Sequence, residues 1–382
     1  MNRTKNKNLI SDTINLLRFP LIVGVVFIHF SLSKGLNIHG TFFGLNNPSW
    51  FFFIVNFISE VLSKTCVPTF FFISGFLFFY KANFNRELYI QKIENRVRSL
   101  LIPFILWNII AAVCIFCKST IPFISNYYPP IEIKISFIRL FNTFFCNSNN
   151  SGILVYPPDF PPPMDICPIN IPLWYIRELM IMVILSPIIY GIIKKGRVYS
   201  PIILGLFWYF SPLFLPVGCY LSMLSQALFF FSFGAFYSIN KIDFADFCLK
   251  NKASICTIYI IIAIIDVLTK ESTYSTYIHT FGILFGVLSA FSITSYFVEY
   301  RKTKTNQILT NSSFFIYACH TLFMNDAAKF AFKTLQVPDN NPFIMLTFYL
   351  SVPIITIGIC FSLYAVLLCI SPHLCRLLTG GR

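Results

Sequence analysis

About ten apolar runs of helix-spanning length, separated by short basic clusters, leave this chain few ways to fold. They lie at about 16–34, 50–80, 99–117, 172–193, 199–217, 221–239, 254–269, 277–298, 313–331 and 343–371. In lipid the backbone must satisfy its own hydrogen bonds, so such runs become helices. The expected fold is all-α: one polytopic integral membrane domain, residues 1–382, of about ten transmembrane helices. Composition agrees, because only 12% of residues are charged and 46 are Phe, against roughly a quarter charged in a soluble domain. The second and tenth runs exceed the length a bilayer needs, and Pro68 and Pro353 mark plausible kinks. The fifth to seventh runs are the least distinct.

The formal net charge of +14 would suit nucleic acid if it formed a patch. Instead it sets orientation. Segments on the N-terminal side of alternate runs hold 19 of the 29 Lys and Arg, including Arg3, Lys81, Arg86, Arg96, Arg98, Lys194 and Arg301. The opposite loops hold Lys34, Lys118, Lys134, Arg139, Lys270 and Lys333. Both termini are expected to be cytoplasmic and the protein to lie in the inner (cytoplasmic) membrane. The basic start resembles a signal peptide, but without a small-x-small cleavage site a retained first helix is expected.

Residues 119–171 carry nine prolines, from Pro122 to Pro168, and form a long external loop. It caps a site from outside or is a variable ornament. Cys146 and Cys167 within it could form a disulfide. The Cys114/Cys117 spacing has no second half within reach, so no metal site is expected. There is no internal repeat of the kind that inverted-repeat transporters show.

Ionisable groups inside spans are costly and usually functional. Arg18 and His29 are eleven residues apart on the first run. That is close to three turns, so they share one face, offset by ~20° with ~16 Å of rise. With the N-terminus inside, Arg18 is expected at the cytoplasmic edge and His29 deep in the membrane. Arg offers a planar fork for phosphate, and His takes a proton near neutral pH. The alternative is a snorkelling Arg with a structural His.

The context LLRFPLIVGVVFIHFS, with Arg18-x10-His29, resembles the first-helix signature of the membrane-bound acyltransferase 3 family. VPTFFFISGFLFF (67–79), ENRVRSLLIPFILWN (94–108), IPLWYIREL (171–179) and SFFIYACHTLF (313–323) resemble that family's later motifs, in order. The resemblance implies an acyltransferase that moves an acyl group, usually acetyl, from cytoplasmic acyl-CoA to a saccharide hydroxyl of a cell-surface or secreted glycan. It implies essential roles for Arg18 and His29, and a stand-alone member without an appended hydrolase-like domain. Acetyl-CoA would be a co-substrate, with no permanently bound cofactor; the other partners would be a saccharide or lipid-linked saccharide and the bilayer.

Arg18, Arg96 and Arg98 could hold the donor phosphates; for the last two, orientation signalling is an equal explanation. Ser74, in a Ser-Gly pair, fits close helix packing or the site. Trp174 and Tyr175 fit an outer aromatic belt or sugar stacking. Glu178, expected to be partly exposed, could orient a hydroxyl or pair with Arg177. Tyr317 and His320, in the ninth run, are cross-helix hydrogen-bonding groups or a second acid or base. His279 and His39 read as surface residues, and Asp266 and Glu60 as buried polar groups without an assigned place. The rival class is a transporter or flippase for a glycan or lipid-linked sugar.

Overall fold

The computed structural model describes residues 8–38, 40–81, 84–120, 168–215 and 220–381, with residues 132–134, 136, 138–139, 142 and 154–155 besides. Cys146 and Cys167, the pair that could form a disulfide, lie outside the described residues, as do His39 and most of the proline-rich segment 119–171.

The order begins α1 (Leu9–His29), β1 (Leu36–Ile38), β2 (Thr41–Phe43), α2 (Ser49–Val55), α3 (Cys66–Phe79), α4 (Arg86–Arg96) and α5 (Ile102–Thr120). Then come β3 (Glu132–Ile133), β4 (Leu154–Val155), α6 (Trp174–Ile184), α7 (Ser186–Gly196), α8 (Tyr199–Phe210) and α9 (Tyr220–Ile239). The remainder is α10 (Phe244–Lys250), α11 (Lys252–Leu268), α12 (Ser275–Tyr300), α13 (Gln307–Cys319), α14 (Met324–Thr334), α15 (Pro342–Ile370) and α16 (Pro372–Thr379). The strands form two small antiparallel pairs, β1 with β2 and β3 with β4. The fold class is all-α, as expected.

Among the described residues, six helical stretches are long and apolar enough to cross a bilayer: 9–29, 49–79, 86–120, 220–239, 275–300 and 342–370. Two bent pairs, α6 with α7 at 63° and α10 with α11 at 78°, raise the number to eight. Two of the ten expected spans take another form. The run at 199–217 stops as helix at Phe210, where a 3-10 turn containing Pro212 follows. The run at 313–331 is interrupted by a 3-10 turn at His320–Leu322, and α14 beyond it carries Asp326, Lys329 and Lys333.

Contacts divide the chain into two units. The first holds 1–84, 186–313 and 324–359; the second holds 85–185, 314–323 and 360–382.

Unit 1 is held by close helix approach. Between helices in lipid no hydrophobic effect operates, so van der Waals contact and small residues carry association. A Cβ on Gly75 of α3 would run into the Phe231 carbonyl of α9, and one on Gly234 of α9 would run into the Phe72 carbonyl of α3. The two glycines thus bring the backbones together reciprocally. Phe72 then packs edge-on or tilted against Phe233, Phe244 and Phe291 with ring centroids 4.3–5.5 Å apart, contacts worth about 0.5–1.5 kcal/mol each beyond their area.

The stretch from α2 to α3 is one continuous helical rod with a π-helical segment, Asn56–Leu62, and a 3-10 turn, Ser63–Thr65, inside it. Such widened turns recur at functional sites. In unit 2, Asn170 ties the start of α6 to its neighbours. Its backbone N–H donates to Asn108 Oδ1 (3.1 Å), and its side-chain amide donates to the Ala318 carbonyl (2.9 Å). The Trp107 indole N–H donates to the Leu378 carbonyl (2.9 Å), which anchors α16.

Candidate active site

The first helix starts seven residues before the apolar run does. Residues 9–15 read as mixed polarity, yet Leu9, Ile10, Thr13 and Ile14 are buried, and Asp12 in the first turn suits the positive helix end. The added turns change where the expected pair stands along the helix. Arg18 stands near the middle of a helix of about 31 Å, and His29 is its last residue. Both side chains are half-buried in unit 1.

The end of α1 is fixed by the π-helical segment. Phe27 is among the last four residues of the helix, whose carbonyls lack intrahelical partners. Ser59 Oγ donates to the Phe27 carbonyl at 2.8 Å. With its proton so used, Ser59 receives the Tyr349 hydroxyl at 2.7 Å. Serine and tyrosine thus position the backbone two residues before His29.

The same segment presents Glu60, whose polar neighbours are Lys64, Lys270, Ser31 and His279. Lys64 reaches it at 3.6 Å. Next to it lies a pair whose partners the sequence did not reveal: His279 Nδ1 and Asp266 Oδ2 are 2.7 Å apart. Asp266 is 1% exposed and His279 26%. They sit on either side of the short connection between α11 and α12, two residues before one helix ends and four after the other begins. Once those helix ends are known, an antiparallel hairpin places them opposite each other. His279 is therefore not an ordinary surface residue.

His29 and His279 occupy one level. Thr13 of α1 meets Ser295 of α12 through their hydroxyls at 3.2 Å. His29 is sixteen residues further along α1, and His279 is sixteen residues earlier in α12. The helices run antiparallel, since Glu60 neighbours both Ser31 and His279. Both imidazoles thus lie ~24 Å along their helices from the Thr13–Ser295 contact.

Ser74 is half-buried beside Gly75, the residue that lets α3 approach Phe231 closely. An apolar cavity of about 930 Å³ in unit 1, lined by Trp208, Tyr209, Phe229, Phe233, Tyr277 and Phe281 among others, takes in none of the expected site residues.

Unit 2 holds the other expected residues. Arg96 ends α4, half-buried with Tyr175 and Lys92 as neighbours; Arg98 is exposed in the next turn. Glu178, expected to be partly exposed, is wholly buried and takes two bonds from Arg177, at 2.8 and 3.1 Å on one oxygen. Trp174 is half-buried, whereas Tyr175 is buried with its ring edge-on to Tyr317. The Tyr317 hydroxyl donates to the Pro172 carbonyl. His320 is wholly buried, and its Nδ1 donates to the Ile316 carbonyl at 3.1 Å. It opens the turn that ends α13 rather than lying inside a continuous span. Among the described residues no group of three or more His, Cys, Asp and Glu could hold a metal ion.

The profile of the acyltransferase 3 domain matches residues 12–369. A stretch of 245 residues is 25% identical to the succinoglycan biosynthesis protein ExoH of Rhizobium meliloti (strain 1021), covering 61% of this chain. It covers 55% of that protein, so the chain spans about half of that relative's length. No solved structure matches. With the domain profile covering nearly its whole length and six to eight apolar helices able to cross a bilayer, the chain belongs to the acyltransferase 3 family of multi-pass membrane proteins.

Proposed function

We propose that the protein is an O-acyltransferase that moves an acetyl group from cytoplasmic acetyl-CoA to a hydroxyl of a cell-surface or secreted saccharide. The family match over residues 12–369 carries the reaction class. The saccharide rests on similarity to a protein named for succinoglycan biosynthesis. The reading takes the protein as lying in the inner membrane with both termini cytoplasmic, as the basic clusters argue.

His29 is the proton acceptor in this reading. An imidazole nitrogen takes the proton of the acceptor hydroxyl as the oxygen attacks the thioester carbonyl. The C–S bond then breaks, and the thiolate of coenzyme A takes the proton back from the imidazolium. Pinning of the Phe27 carbonyl by Ser59 supports a fixed His29. Arg18, on the same face of α1, is the candidate for an anionic group of the donor. Arg96 and Arg98 are retained as phosphate-holding candidates on unit 2.

Purified protein in detergent, given labelled acetyl-CoA and a saccharide acceptor, tests this. Transfer should disappear in His29→Ala while donor binding is largely kept, and Arg18→Ala should chiefly weaken donor binding. Saccharide flux that ignores acetyl-CoA and survives His29→Ala would refute the reading in favour of a transporter. Acetylated protein trapped with donor alone would refute direct transfer in favour of an acyl-enzyme.

A further inference from the structure

The Asp266–His279 pair has the form of an oriented imidazole. A buried carboxylate that accepts the Nδ1 proton fixes ring and tautomer and leaves Nε2 to face outward. Here the carboxylate is buried and the imidazole is partly exposed, so a solute can reach only the histidine. The second carboxylate oxygen, Asp266 Oδ1, is buried with no hydrogen-bond partner. Buried polar atoms of native proteins are ordinarily paired. Asp266 Oδ1 lies behind the imidazole, where a small hydroxyl such as water, not a bulky ligand, would complete it.

The charges around the pair say what kind of ligand it suits. Lys64 and Lys270 stand beside Glu60 and Asp266, two cations against two carboxylates rather than a basic cluster. A nucleotide with several phosphates needs net positive charge. A polyhydroxylated ligand needs mixed donors and acceptors at close spacing, and carboxylates, ammoniums and an imidazole supply both. Its His279 also stands level with His29, and its Glu60 lies on the π-helical segment whose Ser59 fixes the end of α1.

We propose that His279, oriented by Asp266 and flanked by Glu60, Lys64 and Lys270, forms the binding site for the saccharide acceptor. His279 Nε2 hydrogen-bonds a sugar hydroxyl and positions a neighbouring hydroxyl for acylation. This rests on the acyltransferase reading above and assigns its acceptor side.

The test uses a strain lacking the gene, complemented with the wild-type chain, His279→Ala, His279→Gln or Asp266→Asn. Base-labile acetate released from surface polysaccharide is measured, and binding of labelled acetyl-CoA is measured on each purified protein. His279→Ala is expected to lower released acetate at least tenfold while acetyl-CoA binding stays within twofold of wild type. Asp266→Asn is expected to lower it less, with His279→Gln between them. Acetate unchanged in His279→Ala would overturn the proposal, as would equal loss of acetate and donor binding in folded protein. If all three variants fail to fold, the pair is structural and the proposal is wrong. If the wild-type gene itself restores no acetate, the acyltransferase reading fails instead.

Discussion

Replacing Ser59 with Ala tests how the end of the first helix is held. Ser59 is wholly buried, and its hydroxyl serves two partners, the Phe27 carbonyl at 2.8 Å and the Tyr349 hydroxyl at 2.7 Å. The substitution leaves a carbonyl and a phenol buried without that partner. By soluble-protein values each orphaned group costs about 1–3 kcal/mol. Cross-helix hydrogen bonds in membranes average about 0.6 kcal/mol, so two of them set a lower bound of about 1 kcal/mol. A loss of about 1–2 kcal/mol is therefore expected, measured by reversible denaturation in mixed micelles. Tyr349→Phe removes one partner without orphaning a new buried hydroxyl, so Ser59→Ala should cost less in that background. The coupling energy of the double-mutant cycle should be about 0.5–1 kcal/mol. Acetyl transfer should fall more than stability explains, because His29 lies two residues beyond the pinned carbonyl. A loss below about 0.3 kcal/mol with zero coupling would refute the account.

Gly75→Val should cost about 1–3 kcal/mol of stability, or prevent folding, because its side chain meets the Phe231 backbone. Gly191→Ala on α7, where nothing lies within 4 Å, should be neutral or slightly stabilising in the same assay. Arg177→Met should destabilise by about 3–5 kcal/mol by leaving the buried Glu178 charge uncompensated, and adding Glu178→Gln should recover much of the loss. Denaturation curves of the three proteins check this, and no recovery in the double variant would show that Arg177 acts through other contacts.

Much of the fold was legible because lipid imposes a simple rule on long apolar runs. Runs such as 221–239 and 277–298 became α9 and α12 within a few residues. Where local backbone chemistry competes with apolarity, the rule weakened. Pro212 ends helix within the run at 199–217, and the turn at His320 divides the run at 313–331. The start of α1 was missed for the converse reason, since LISDTIN is too polar to read as a span yet packs its apolar side inward. Within the site, a single helix needs only its own period, so the shared face of Arg18 and His29 could be read from spacing. The partnership of Asp266 and His279 depends on where two helices stop and start, which composition does not encode. The buried state of Glu178 depends likewise on the neighbours packed around α6.

The π-helical segment Asn56–Leu62 has a consequence for how the site is inherited. A π turn holds one residue more than the α turn it interrupts. Deleting a single residue there would restore the ordinary winding and swing everything on one side of it by about 100° around the rod. Ser59 would leave the Phe27 carbonyl, or Gly75 would leave Phe231; one length cannot serve both contacts. The placement of Glu60 and Ser59 is thus written in the number of residues as much as in their kinds. Substitutions can drift through this stretch one side chain at a time, but insertions and deletions cannot.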